Sequence, residues 1–119
     1  MTVPSNPQAF VSDWLAGWNE HDLERVLQHF SEDVVFSSPV AERLLPETGG
    51  VIHGKSQLRD YWTKGLEMIP DLRFEVVSYS VGVDAMVITY RNHRDDMVNE
   101  VLVFQGDGSP VVTAGYGTY

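Results

Sequence analysis

A carboxyl group set among apolar side chains is the feature of this sequence that most directly suggests chemistry. Glu100 shares strand phase with Val98, Leu102 and Phe104, so alternation places it on a largely apolar face. Desolvation favours the neutral form of such a carboxyl, which can then donate a hydrogen bond or act as a general acid. Two other interpretations stay open: this face is partly wet, or Glu100 pairs with Arg91 on the adjacent strand. We take Glu100 as the candidate catalytic residue.

The four histidines show no spacing typical of a metal site. His21, His29, His53 and His93 form no H-x-x-x-H pattern, and the acids near them do not converge. The chain also has no cysteine, so a thiolate metal site is excluded. We therefore predict neither a metal nor a cofactor. His53 differs from the others because it leads from an irregular segment into a helix, and we predict that it contacts a ligand.

Aromatic residues supply the apolar surface of a predicted pocket. Trp14 and Trp18 lie four residues apart on one face of an N-terminal helix. Most aromatic side chains belong to the core, but some are expected to line the open end of the fold. Tyr116 shares strand phase with Val112 and Ala114, which predicts that its hydroxyl is a polar contact inside an apolar cavity.

The first half of the chain has the pattern of helices around one strand. A helix is predicted to start at Asn6-Pro7, because asparagine caps and proline suits the first turn. Asp22 is predicted to cap a second helix. Val34, Val35 and Phe36 predict a short strand that ends near Pro39. The apolar face of the second helix is predicted to contain Leu23, Val26, Leu27 and Phe30. A loop is predicted over 40–53 and a third helix over 54–69.

The second half has a period of two. Candidate strands are 72–81, 85–93, 98–105 and 110–118, with turns at 82–84, 94–96 and 106–108. Turns this short require antiparallel neighbours. The predicted fold class is therefore α+β, in a single domain over 1–119.

Composition excludes several classes of partner. The chain has 8 basic and 17 acidic residues, a net charge of -9, and no basic cluster. Such a chain repels phosphates and anionic headgroups, so we predict no nucleic-acid and no membrane partner. No apolar run approaches the ~20 residues of a membrane helix. No secretory signal is visible, and a cytoplasmic location is expected.

Four segments, in this order, resemble the nuclear transport factor 2-like superfamily in its SnoaL-like and ketosteroid isomerase-like branch. They are WNEHDLERVLQHFSEDVVFSSP, GKSQLRDYW, PDLRFEV and NEVLVFQGDGSPVVTAGY, and together they span nearly the whole chain. The resemblance implies a cone-shaped curved sheet wrapped by three helices, a pocket at the open end and, as in many members, a homodimer. Apolar residues on both phases of strand 98–105 predict that the dimer forms through the outer sheet face. Members include isomerases, dehydratases, epoxide hydrolases, polyketide cyclases and non-catalytic domains, so fold alone does not assign a reaction.

The resemblance also bears on single residues. The ketosteroid isomerases carry a carboxylate base where this chain has Ser38, and a serine hydroxyl does not remove a carbon-bound proton unaided. Their oxyanion-binding tyrosine and protonated acid correspond here to Trp14 and Glu100. Trp14 is alternatively a plain core aromatic. The residues predicted to contact a ligand are Trp14, Trp18, Phe36, Ser38, His53, Trp62 and Tyr116.

We therefore expect a pocket for a small apolar or aromatic molecule, in an enzyme of cyclase, dehydratase or hydrolase type. Ketosteroid isomerase chemistry is disfavoured because Ser38 replaces its base. The alternative is a non-catalytic ligand-binding or dimeric association domain of the same fold. The ligand, the reaction and the pathway are not assigned by the sequence.

Overall fold

Helices and strands alternate in the first half of the chain, and strands alone make up the second half. The structure is a computed structural model that describes residues 2–106 and 110–119. The helices of this part are α1 (Pro7–Asn19), α2 (Leu23–Leu27), α3 (Pro39–Leu44) and α4 (Lys55–Met68). The strands are β1 (Phe30–Ser37), β2 (Val51–His53), β3 (Glu75–Val81), β4 (Ala85–Arg91), β5 (Met97–Gln105) and β6 (Val111–Thr118).

Side-chain caps fix where α1 and α2 begin. The Asn6 side chain accepts a hydrogen bond from the Ala9 N–H at 3.1 Å. Asp22 accepts one from the Arg25 N–H at 3.2 Å. Each cap satisfies an amide that has no partner within its own helix. Both predicted helix starts are confirmed.

The six strands form one curved sheet in the order β2-β1-β6-β5-β4-β3. All neighbours are antiparallel except β1 and β6, which are parallel. The predicted α+β class and the four C-terminal strands are confirmed, although the first of these strands starts at Glu75 instead of residue 72. The predicted turn at 106–108 lies partly outside the described residues.

The predicted loop over 40–53 is wrong. This segment contains α3, a short 3₁₀ turn at Pro46–Thr48 and strand β2. The Ser38 hydroxyl caps α3 by accepting the Ala41 N–H at 3.0 Å, with Pro39 at the first helical position. Phe30 was likewise placed on the second helix, but α2 ends at Leu27 and Phe30 begins β1.

A layer of aromatic rings separates α1 and α4 from the inner face of the sheet. Trp14 is fully buried, with its ring centroid 6.0 Å from that of Phe74 and 5.3 Å from that of Tyr90. Trp18 meets the edge of Trp62 at 4.8 Å. We call these five residues the aromatic layer. Ring pairs at such separations are each favourable by about 0.5–1.5 kcal/mol beyond area burial, so the layer is a stiff boundary.

Strands β5 and β6 change register at a bulge. Val112 pairs with Phe104, whereas Ala114 pairs with Val103, which leaves Thr113 as an extra residue on β6. Before the bulge Val112 faces inward and is fully buried. Because side chains alternate with period two, the extra residue makes the odd-numbered residues of β6 face inward from there on.

Helices within the described ranges are all too short or too polar to cross a membrane.

Gly17→Ala is expected to destabilise the protein, although alanine favours helices. A Cβ at Gly17 would lie 2.8 Å from Cγ2 of the fully buried Val26. Overpacking of this kind costs roughly 1–3 kcal/mol, against a helix-propensity gain of about 1 kcal/mol. Urea unfolding should therefore show a lower unfolding free energy. In a Val26→Ala background, where the opposing methyl is absent, the same substitution should be neutral or stabilising. An equal loss in both backgrounds would contradict the steric explanation.

Candidate functional site

An apolar cavity lies at the end of the aromatic layer, between α4 and the inner face of the sheet. Its volume is about 90 Å³. This is enough for several waters or a small organic molecule, but less than the roughly 300–1,000 Å³ of drug-sized pockets. Residues from nearly every element line it: Trp18, Phe36, Ser38, Val40, Tyr61, Trp62, Gly65, Leu66, Ile69, Leu72, Phe74, Tyr90, Glu100, Gly117 and Tyr119.

Glu100 places a carboxyl group in the wall of this cavity. It lies on the inner face of β5, level with Ile88 on one neighbouring strand and Gly117 on the other, and is 5% exposed. The Tyr90 hydroxyl donates to Oε1 at 3.3 Å, while Oε2 has no hydrogen-bond partner in the described part of the chain. Arg91 is not its partner, since that guanidinium lies 3.6 Å from Asp95.

Burial raises the pKa of Glu100 from the ordinary value of 4.5 to about 7. The Tyr90 hydroxyl opposes this rise by hydrogen bonding to the carboxylate. The indole of Trp14 also lowers the pKa, although its N–H makes no hydrogen bond of good geometry to the residues described. The carboxyl is thus neutral in mildly acidic solution and close to half-ionised at neutral pH.

A second polar pair lies in the cavity wall, formed by Ser38 and Tyr61. Their hydroxyl oxygens are 3.0 Å apart, and Ser38 Oγ also accepts the Ala41 N–H. Burial raises the pKa of Tyr61, and partial burial raises the pKa of Tyr119 to about 12, although this residue is 59% exposed. Both phenols are therefore neutral at physiological pH; Tyr119 is available as a hydrogen-bond donor, and Tyr61 is available when Ser38 donates to it.

The structure brings together five of the residues predicted for the site and separates the others. Trp18, Phe36, Ser38, Trp62 and Glu100 all line the cavity. The other three lie elsewhere. Trp14 is fully buried behind Phe74 and Tyr90, and does not line the cavity. His53 is exposed on β2, where the Gln57 side chain accepts its backbone N–H at 3.1 Å.

Tyr116 is a correction to the predicted site. It is 45% exposed and lies outside the cavity, on the outer face of the sheet. The bulge at Thr113 is the cause, because it ends the phase that Val112 would have shared with Tyr116. Gly117 faces inward instead, and a Cβ there would lie 3.0 Å from Cβ of Ser38.

Three cavity tyrosines were not among the predicted contacts. Tyr61 directly precedes Trp62 on α4, and both are buried on its inner side, a signal that the helical pattern contained. Tyr90 follows Ile88 on the inner face of β4, so the pairing of β4 with β5 brings it near Glu100. For Tyr119, which follows the last strand, the sequence offers no comparable signal.

The described residues contain no cluster of histidine or acidic side chains that could hold a metal ion.

Comparison with known proteins identifies the family. The chain matches the model of the SnoaL-like domain over residues 11–119. The chain belongs to the SnoaL-like family. A SnoaL-like protein of unknown function from Burkholderia thailandensis is 34% identical with a TM-score of 0.90, over 99% of this chain and 97% of that one.

More distant structures share the fold of this SnoaL-like protein. A proposed polyketide cyclase from Sinorhizobium meliloti is 11% identical with a TM-score of 0.73, over 98% and 95% of the two chains. TerC, co-crystallised with polyporic acid, is 16% identical with a TM-score of 0.68, over 97% and 92%. At these identities the likeness concerns the fold alone. No protein of curated function matches the chain.

Glu100→Gln should stabilise this SnoaL-like protein increasingly as the pH rises from about 4.5 to 7. The folded state keeps the Glu100 proton up to about pH 7, whereas the unfolded chain loses it near the ordinary value of 4.5. The folded state therefore binds more protons in that window, and its stability falls as pH rises, by about 3 kcal/mol in total. Glutamine carries no such penalty.

Unfolding free energies of both proteins at pH 4.5 and pH 8 measure this difference. The exposed substitution Glu67→Gln on α4 is a matched control, which should change stability little at either pH. A difference between wild type and Glu100→Gln that is the same at both pH values would contradict the raised pKa.

Proposed function

We propose that this SnoaL-like protein binds a small apolar or aromatic molecule in the cavity and acts on it with the Glu100 carboxyl, in a reaction of cyclase, dehydratase or hydrolase type. The observation that carries the proposal is a buried carboxyl in an apolar cavity with one oxygen, Oε2, unpartnered among the described residues. A buried polar atom without a partner is costly, and a ligand atom there would remove that cost.

The polar groups of the cavity favour a ligand that carries an oxygen acceptor. The Trp18 indole N–H lacks a partner in the described ranges, and the phenols of Tyr61 and Tyr119 are neutral donors. Protonated Glu100 is a further donor. A carbonyl or hydroxyl oxygen accepts from such groups, whereas an ammonium group brings only donors of its own. The co-crystallisation of the fold neighbour TerC with polyporic acid is consistent with small-molecule binding by this fold.

A carboxyl with a pKa near 7 can serve as acid and as base at neutral pH. As an acid it gives its proton to a ligand carbonyl or leaving hydroxyl oxygen and becomes a carboxylate. As a carboxylate it takes a proton from the ligand or from water and returns to its first state. Ser38 does not supply a second base, because its hydroxyl oxygen already accepts the Ala41 N–H and bonds to Tyr61.

The engagement of Ser38 also favours a second candidate function, which is binding without turnover. Among the described residues that line the cavity, Glu100 is the one carboxyl. A reaction that needs both an acid and a separate base would therefore not proceed. Recovery of the bound molecule unchanged after long incubation with the wild-type protein would favour this alternative.

The catalytic role is tested with the ligand that the protein retains through purification, identified by mass spectrometry. We expect a molecule with at least one oxygen acceptor. Glu100→Gln keeps a donor at the same place but cannot exchange a proton, so turnover should fall by about 10²–10⁴-fold while affinity changes little. Glu67→Gln is the control. Turnover of that molecule by Glu100→Gln at the wild-type rate would contradict the proposal.

We further propose a homodimer that forms through the outer face of the sheet, in the cytoplasm. Half-buried or exposed apolar side chains cover the middle of this face: Val35, Val87, Val101, Val103, Ala114 and Tyr116. Contiguous exposed apolar surface of this kind is typical of an interaction site. The face belongs to strands whose opposite side forms the cavity, so dimerisation would stiffen the cavity wall.

Val101→Glu is expected to convert this dimer to a monomer. Val101 lies at the centre of the outer face, level with Val87 on one side and Tyr116 on the other. A charge at the centre of an interface is left desolvated and unpaired, which costs several kcal/mol. Sedimentation velocity measures the change, with circular dichroism as the check on folding. Ser78→Glu on the edge strand β3 is the control, and a monomeric wild type would contradict the proposal.

A further inference from the structure

One glycine in the cavity wall is required neither by the backbone conformation nor by the packing of the fold. Gly65 lies inside helix α4, where glycine is less favourable than alanine by about 1 kcal/mol. A Cβ added at Gly65 would meet no atom within 4 Å. Its φ is not in the left-handed region either. The other glycines in the described part of the chain have a positive φ or a neighbour within contact distance of an added Cβ.

The empty space beside Gly65 belongs to the cavity. Tyr61 and Trp62 precede it by four and three residues, and Ile69 follows it by four, which places all of them on one helix face. All four residues line the cavity. A side chain at Gly65 would therefore point where those of Tyr61 and Ile69 point, toward the cavity, from a partly exposed position in its wall.

Ring contacts and a hydrogen bond hold the neighbouring walls in place beside this space. Trp62 is held by edge contacts to Trp18 at 4.8 Å, to Phe30 at 5.3 Å and to Phe36 at 5.5 Å. Tyr61 is held by its hydrogen bond to Ser38 at 3.0 Å. Rings fixed in this way preserve the gap, so the missing side chain at Gly65 sets the depth of the cavity along α4.

We propose that Gly65 determines ligand size: the absent side chain keeps open a subsite along α4 that takes the apolar end of a ligand whose oxygen lies toward Glu100. This inference rests on the proposed function, since it concerns the same cavity. It names the part of the ligand that α4 accommodates, an apolar or aromatic portion of about one ring, in keeping with the cavity volume of about 90 Å³. It also accounts for a glycine that lowers helix stability at a position where alanine would fit.

Two ketones of different size test the role of Gly65. 2-Butanone has no ring and acetophenone has one, and both carry one oxygen acceptor. Their affinities are measured by quenching of tryptophan fluorescence, since Trp18 and Trp62 line the cavity. The proteins are the wild type, Gly65→Ala, Gly65→Leu and the control Thr63→Leu, which adds the same side chain at an exposed position of α4.

Gly65→Leu is expected to weaken acetophenone binding by about tenfold or more and 2-butanone binding by less than about threefold. Thr63→Leu should change neither. Gly65→Ala should raise the melting temperature by roughly 2–5 °C, because helix propensity improves without a clash, and should weaken the larger ketone selectively.

Three results would overturn this inference. Lower thermal stability of Gly65→Ala would mean that the fold requires the glycine. Equal affinity of wild type and Gly65→Leu for the larger ketone, with both ketones bound, would refute the subsite while leaving the proposed function intact. Failure of the wild type to bind either ketone would refute ligand binding in the cavity, and the role of Gly65 with it.

Discussion

The packing of large, stiff rings between the helices and the sheet determines most of this structure. The aromatic layer begins with Trp14 at full burial and continues through Phe74 and Tyr90 on the sheet side and Trp18 and Trp62 on the helix side. These rings pack closely beside Trp14 and leave a gap that Trp18, Trp62, Phe74 and Tyr90 help to line. That gap is the cavity, and its walls are rigid because each ring is held by other rings.

The same rings set the chemistry of the one buried carboxyl among the described residues. They exclude water from Glu100, and the described surroundings offer it a phenol and an indole but no cation. The neutral form is therefore favoured up to about pH 7. Glu100 and Gly65 both lower stability: Oε2 of Glu100 has no partner among the described residues, and glycine disfavours the helix at position 65. Residues that lower stability in this way concentrate at functional sites, and Glu100 and Gly65 both lie in the wall of one cavity.

Local signals in the sequence predicted much of the fold and of the cavity. The caps at Asn6 and Asp22 and the inward phase of Glu100 follow from short-range rules, and the structure agrees with each of them. Tyr116 could not be placed by such rules, because the bulge at Thr113 depends on how β6 pairs with β5. The alternation of side chains predicts which face of the sheet a residue occupies only as far as the pairing register of the strand is unbroken.

Two other errors have different physical origins. The segment over 40–53 has no sustained period because its elements are very short, so capping by Ser38 was the one usable signal for α3. His53 was expected at the rim because it precedes a helix, but β2 is the outermost strand beside β1 and directs it to solvent. Position along the chain does not show which side of a sheet edge a residue occupies.

Stability and the proposed acid function respond to the same proton in this protein. Below about pH 7 Glu100 is neutral, which is the form that the apolar cavity tolerates and also the form that can donate to a ligand oxygen. Above about pH 7 the carboxylate is desolvated, and Tyr90 is the one residue in the described chain that hydrogen-bonds to it. The folded state is then less stable, and Glu100 no longer carries a proton to donate. A ligand oxygen seated on the protonated carboxyl would extend the neutral form to higher pH, because binding to one protonation state raises the pKa toward that state. Ligand and fold therefore favour the same form of Glu100, and this shared preference is the physical reason why a costly buried acid is compatible with a stable cavity.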